Sequence, residues 1–302
     1  MWVMAGIAAL GSMTLVAGLF IGLRLGTHPK SPPAAVPAPG TTAAPSSPVT
    51  GTPSQPAPAG EAGLAADFAQ LETKLNAVAG IVVGAVGNGQ APMTLGNWQT
   101  GPAWSTIKVP LIIAGMRAEP QKPPVITEAM KAAITESDNA AAESVWASLD
   151  DPVTAAHKVQ DVLRETGDTQ TIVQSHKVRP EFTAFGQTIW SLSNQVQFLS
   201  AAVCDKANDP VFSLMGQVEP DQRWGIGTIG GAQFKGGWGP SETGEYLVRQ
   251  MGVLAGPNGM IAVALAAAPN SGKFDDGTAD LTEMANWLSA NLGALPAGQC
   301  GP

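Results

Sequence analysis

A mixed α/β fold is expected from this sequence, built on one antiparallel five-stranded sheet with helices on both faces. Two observations predict it. Strand-like runs occur in two groups, an early one near Gly80–Val86 and Pro92–Trp98 and a late one near Ala232–Trp238, Glu245–Ala255 and Met260–Ala267. Between the groups lies a long section of helical periodicity, so the early and late strands must close a single sheet around it. Terminal helices then cover one face and the helical section the other. No internal repeat is evident.

The elements follow in chain order. Trp2 to Leu23 carry no charge, and about 22 helical residues span a hydrocarbon core of roughly 30 Å. Residues 1–28 therefore read as a membrane anchor, with a cleaved signal segment as the rival. Arg24 and Lys30 follow the apolar run and no basic residue precedes it, which by charge bias alone would keep the rest of the chain inside. The paired cysteines and the site chemistry below favour the outside. Residues 29–60 are rich in Pro, Ala, Ser, Thr and Gly. Such a stretch buries too little surface to offset its ordering entropy and is expected to be a disordered spacer.

Residues 61–302 form the folded domain. Leu64, Phe68, Leu71, Leu75 and Val78 recur at helical spacing, predicting one amphipathic helix that leads into the first strand. Further helices are expected near Ser105–Arg117, Ile126–Thr135, Asn139–Leu149, Pro152–Thr166 and Ser191–Cys204, and a last one at Asp280–Leu292.

Composition excludes several function classes. Lys and Arg number 16 against 24 Asp and Glu, a net charge of −8, which opposes a nucleic-acid partner. The three histidines, His28, His157 and His176, pair with nothing at metal-ligand spacing, so neither a metal nor another cofactor is expected. Cys204 and Cys300 are the two cysteines. In an oxidising compartment they are expected to form a disulfide that pins the tail LPAGQCGP to the end of a helix.

Three motifs carry chemistry. In Trp104-Ser105-Thr106-Ile107-Lys108, a serine and a lysine three apart share one helix face. A desolvated lysine can then take the serine proton, while the helix start offers free N–H groups. Ser137-Asp138-Asn139 lies between two helices; its serine can pass a proton and its asparagine can bond both the lysine and a substrate amide. Each residue type is also a common helix cap. Lys235-Gly236-Gly237 lies in the strand FKGGWGP, where the lysine can meet a substrate carboxylate and the glycines let the backbone approach closely.

Together and in this order, the three motifs resemble the constellation of serine β-lactamases and penicillin-binding proteins. AAITESDNAAAESVW is similar to the class A β-lactamase stretch around its S-D-N, and STIKVPLIIAGM resembles the nucleophile helix of that class. The likeness spans nearly all of residues 61–302. It implies a β-lactamase/transpeptidase-like fold with a reduced helical subdomain, because the stretch from Ser105 to Ser137 is shorter than in class A enzymes. It also implies roles: Ser105 as acylated nucleophile, Lys108 as its base, Ser137 as proton shuttle and Asn139 as an orienting group. Lys235 would bind a substrate carboxylate and support Ser137. The N–H groups of Ser105 and Trp238 would form an oxyanion hole.

The pattern also breaks. Gly236 stands where the family has Thr or Ser, and the deacylating E-x-x-L-N glutamate is missing. Glu181, in Val178-Arg179-Pro180-Glu181-Phe182, is the nearest candidate base, although a solvated loop acid or a salt bridge to Arg179 is the more natural use for it. Arg249, on the strand after Lys235, offers a second cation for a carboxylate or is simply an exposed strand residue. The expected activity is acyl transfer through Ser105 from a β-lactam or a D-Ala-type cell-wall peptide, in an envelope or periplasmic setting. A catalytically idle relative that binds peptidoglycan or a protein is the alternative. A Ser-His-Asp hydrolase is excluded, since no serine lies in a G-x-S-x-G context.

Overall fold

The structure, a computed structural model, describes residues 59–87, 91–119 and 125–301. The expected anchor and most of the expected spacer lie outside the described residues. No helix among the described residues is long and apolar enough to cross a membrane.

The chain enters with α1 (Ala59–Glu72), which starts two residues inside the expected spacer, then forms β1 (Ala77–Ala85) and β2 (Met93–Gly96). The helical reading that ran on to Val78 is corrected here. The helix closes in a turn in which Lys74 N–H donates to Leu71 O at 2.8 Å. Leu75 stays buried in the turn, while Val78 already belongs to β1 and is exposed. Apolar spacing alone ran across the junction, because a turn and a strand can continue a helical pattern by chance.

A short strand β3 (Thr100–Pro102) leads into a 3-10 turn at Trp104–Ile107 and then α2 (Lys108–Ala118). The helical section continues with α3 (Glu128–Thr135), α4 (Asn139–Ser148) and α5 (Pro152–Glu165). After a loop come β4 (Ile189–Ser191), α6 (Leu192–Ala202) and α7 (Asp209–Met215). The late strands are β5 (Gln233–Pro240), β6 (Tyr246–Gly256) and β7 (Gly259–Pro269), followed by α8 (Phe274–Asn291). Side-chain caps set several helix starts. Thr127 accepts from Met130 N–H, Asp138 from Ala141 N–H and Ser191 from Asn194 N–H. Asp151 caps α5 with Pro152 in its first turn. The last helix begins six residues before the expected Asp280, with Asp275 and Asp276 in its first turn, where carboxylates suit the helix dipole.

The main sheet has the order β2-β1-β7-β6-β5, all antiparallel, so early and late strands do close one sheet. Its two faces differ in side-chain size. In β7, Ile261, Val263 and Leu265 pack with α1 and α8 through Phe68, Leu281, Met284 and Leu288. The alternate residues Ala262, Ala264 and Ala266 face the helical section with Phe198 and Leu199 of α6. Period-two alternation therefore assigns bulk to one face and lets helices approach closely on the other.

The same alternation places Lys235 and Gly237 of β5 with their cross-strand partners Met251 and Arg249 on the helical-section side. A second, two-stranded sheet of β3 and β4 was not expected; Thr100↔Ser191 and Pro102↔Ile189 are its end pairs. Each of its strands is only three residues long, too short to show a period.

The expected disulfide is present: Cys204 is bonded to Cys300 with 5.2 Å between Cα atoms. Gly298 and Met260 also exchange backbone hydrogen bonds, Met260 N–H to Gly298 O at 2.7 Å and the reverse at 3.0 Å. The tail is thereby fixed both to the end of α6 and to the start of β7.

Candidate active site

Ser105 sits at the start of the 3-10 turn that runs into α2, where the first N–H groups of a helix have no partner within it. Trp104, immediately before it, has a φ of 49°, a left-handed conformation rare for a bulky residue. Beside this turn runs β5, an edge strand with backbone groups that β6 does not use. The approach depends on glycine. A Cβ on Gly237 would lie 2.8 Å from Ser105 N and 2.9 Å from Ala103 O. A Cβ on Gly239 would meet the Trp104 indole at 2.5 Å. The two strand positions therefore seat the nucleophile turn and the ring beside it.

Lys108, three residues on, is 1% exposed. Its Nζ donates to Ser137 O at 2.6 Å and to Asn139 Oδ1 at 2.7 Å, with Asp138 O at 3.3 Å and Ser137 Oγ at 3.5 Å. Burial pulls its pKa from 10.5 down to about 7, against the opposing pull of Asp138 and Glu143. A neutral amine has two N–H donors and one lone pair. The two short bonds run to groups that only accept and use both donors, which leaves the lone pair for a proton.

Ser137 lies in the loop between α3 and α4 with a φ of 57°. Lys235 reaches it from β5: Nζ donates to Ser137 Oγ at 2.9 Å and to Gly236 O at 3.0 Å. Lys235 is fully buried, and burial together with the Lys108 charge lowers its pKa well below the ordinary lysine value. Two amines with no carboxylate bonded to either share one hydroxyl, so a second proton on the pair is disfavoured. Ser105, Lys108, Ser137, Asn139 and Lys235 thus converge from a helix start, an inter-helix loop and an edge strand.

The cleft at Ser105 is a cavity of about 200 Å³, lined by Trp104, Asn139, Phe182, Thr183, Gly186 and Trp238 among others. No carboxylate lines it. A larger cavity of about 720 Å³ adjoins it and shares Trp104, Gly239, Pro240 and Tyr246. Aromatic residues frame the wall: Trp104 meets Phe182 edge-on at 5.0 Å, and Trp224, Trp238, Phe274 and Tyr246 form a chain of ring contacts. Phe182 and Tyr246 were not foreseen, since a lone aromatic in a loop or at a strand start carries no spacing signal.

Two expectations change. Arg249 is neither a second cation in the cleft nor an exposed strand residue. It is fully buried, with Nη1 donating to Gly101 O and Pro102 O, and Nη2 to Trp190 O and Gln195 Oε1. Burial lowers its pKa to about 9, still far enough above neutrality to keep the charge. It therefore rivets β6 to β3 and β4 beneath the nucleophile turn. Glu181 is exposed and paired with Arg179 at 3.2 Å, and it does not line the cleft. At Gly236, where the family's hydroxyl is missing, a Cβ would meet the Trp224 ring at 3.3 Å and the Trp238 ring at 3.5 Å.

The fold is shared with solved class A β-lactamases. The TLA-3 extended-spectrum β-lactamase aligns with a TM-score of 0.61 at 14% identity, covering 77% of this chain and 99% of that one. A class A β-lactamase from Mycobacterium abscessus aligns at 0.59 and 17%, covering 75% and 98%. An ancestral class A β-lactamase aligns at 0.59 and 17%, covering 75% and 99%. No protein-family model matches the chain, and no curated protein matches it in sequence. The described domain therefore has the fold of class A β-lactamases.

Proposed function

We propose that this chain is an exported serine acyl-transfer hydrolase that attacks a β-lactam or a D-Ala-type cell-wall peptide carbonyl through Ser105. The observation that carries this reading is Lys108: buried, with both N–H donors of its neutral form committed to Ser137 O and Asn139 Oδ1. In this scheme the Lys108 lone pair takes the Ser105 proton as Oγ bonds the carbonyl carbon. The N–H groups of Ser105 and Trp238 receive the developing oxyanion. Ser137, held by Lys235, hands a proton to the departing nitrogen, and the Lys235 charge draws a substrate carboxylate. The disulfide suits an oxidising compartment, and the N-terminal apolar segment would anchor or export the domain.

Because no carboxylate lines the cleft, removal of the acyl group is expected to be the slow half of the cycle. The test is intact mass of the full chain after incubation with benzylpenicillin, beside Ser105→Ala. An adduct of one drug mass, or drug turnover, that the variant loses supports the reading. Equal behaviour of both proteins would overturn it. Absence of any reaction would favour an idle peptidoglycan- or protein-binding relative, the reading that the ring-covered Gly236 supports.

A further inference from the structure

We infer that Gln195, on α6, is a positioning residue for Ser105: it carries a one-way chain of hydrogen bonds from Arg249 to the turn that presents the nucleophile. The inference rests on the acyl-Ser105 reading above and goes beyond it. Gln195 does not line the Ser105 cleft and belongs to none of the three sequence motifs.

The chain starts at a group that can only donate. Arg249 Nη2 donates to Gln195 Oε1 at 2.6 Å, and a guanidinium has no acceptor. The Gln195 oxygen must therefore face Arg249, which turns the amide nitrogen the other way. Gln195 Nε2 donates to Thr106 Oγ1 at 2.8 Å. With that oxygen engaged as an acceptor, the Thr106 hydroxyl sends its own proton on to Ala103 O at 2.6 Å. Arg249, Gln195 and Thr106 are all fully buried, so water offers no competing partner. A hydroxyl can rotate and an amide can flip, but here a fixed charge decides both.

What the chain holds is the turn from Ala103 to Thr106. Thr106 N–H also donates to Ala103 O, at 3.2 Å, so backbone and side chain of Thr106 together close the turn around Trp104 and Ser105. The same guanidinium grips the entry to the turn through its Nη1 bonds to Gly101 O and Pro102 O. One charge thus fixes the backbone before Ser105 directly and the backbone after it through Gln195. Between these two holds sits Trp104 with its left-handed φ of 49°. Such a conformation persists only where its surroundings over-determine it, and the chain is part of what does so. None of the Arg249 hydrogen bonds goes to a carboxylate, so the charge polarises the chain without an acid beside it to offset it.

The experiment measures acylation of the full chain by benzylpenicillin, quenched at short times and read by intact mass. A range of drug concentrations separates the saturating rate from the half-saturating concentration. Gln195→Glu keeps the size and still accepts from Arg249, but a carboxylate offers no donor to Thr106. The Thr106 proton then turns to the carboxylate and away from Ala103 O. Because the variant gives a buried guanidinium an acid partner, it is expected to melt no lower than the parent. Its saturating acylation rate is expected to fall by about 10-fold or more, with little change in the half-saturating concentration. A purely structural role would not separate rate from stability in this way. Thr106→Val should lose a comparable rate, and Thr106→Ser, which keeps the hydroxyl, should regain most of it. Parent-like acylation by Gln195→Glu or by Thr106→Val overturns the inference and leaves the acyl-Ser105 reading intact. If every variant that loses rate also melts correspondingly lower, Gln195 and Thr106 serve stability alone and the inference fails. If the parent itself forms no adduct and turns nothing over, the acyl-Ser105 reading falls for this probe, and this inference falls with it.

Discussion

Gly237 of β5 packs so closely on the nucleophile turn that a methyl group there would sit 2.8 Å from the backbone nitrogen of Ser105. The width of the cleft is therefore set by backbone against backbone. Gly237→Ala must push β5 and the turn apart, at a cost of about 1–3 kcal/mol as for other overpacked sites. Acylation is expected to fall by at least 10²-fold, since a misplaced nucleophile loses far more rate than stability. Urea melts and adduct formation, measured on one preparation, check both halves. Gly239→Ala, which meets a ring, should cost less in both.

The pH dependence of acylation follows from Lys108. With a pKa near 7, the competent neutral form grows as pH rises through that value. The acylation rate is expected to climb between pH 6 and about pH 8 and then level. A rate independent of pH across that range would remove Lys108 as the base.

Stability should move in the same direction. In the unfolded chain Lys108 keeps its proton up to about its ordinary value of 10.5, whereas in the fold it gives it up near 7. Between those values the unfolded state binds more protons, so stability rises with pH by about 1.4 kcal/mol per unit and is level below the window. Lys235 is shifted the same way. Denaturation at pH 7 and pH 9 measures the slope, and Lys108→Met should reduce it by about one proton's worth.

The bond between Cys204 and Cys300 closes a loop across 96 positions. A loop of that length corresponds to about 4.7 kcal/mol of lost unfolded-state entropy. The double Cys→Ser protein should lose most of that and melt lower, with the Ser105 site intact. A loss below about 1 kcal/mol would assign the hold on the tail to the Gly298–Met260 pairing and to buried Leu295 instead.

Arg249→Lys tests the rivet under the nucleophile turn. A lysine cannot fork to Gly101 O, Pro102 O, Trp190 O and Gln195 Oε1 at once. Carbonyls left buried and unpaired should cost about 2–4 kcal/mol. The loss is read from the denaturant midpoint.

The three motifs were legible because each rests on local geometry: a helix repeat for Ser105 and Lys108, a cap for Ser137–Asn139, an alternating strand for Lys235. Three of the five strands were legible from β-branched and alanine-rich runs, and the ends of all five fell within one to three residues. Arg249 was misread because its partners come from β3 and β4, far away in sequence and too short to show a pattern. The start of β1 was hidden because Leu75 is buried in a turn and keeps the helical rhythm going.

Arg249, Lys108 and Lys235 are all buried, while the whole chain carries a net charge of −8. Asp168 is the buried carboxylate among the described residues, and its oxygens accept from Trp190 Nε1, Asn194 Nδ2 and the N–H groups of Gln170 and Thr171 rather than from a cation. The molecule is thus acidic on the outside and basic at heart. An anion approaching from afar is repelled, and only one that enters the mouth feels the attraction. Added salt should screen the outer repulsion more than the inner pull, so an anionic ligand would arrive faster as ionic strength rises, the reverse of what a basic surface would give.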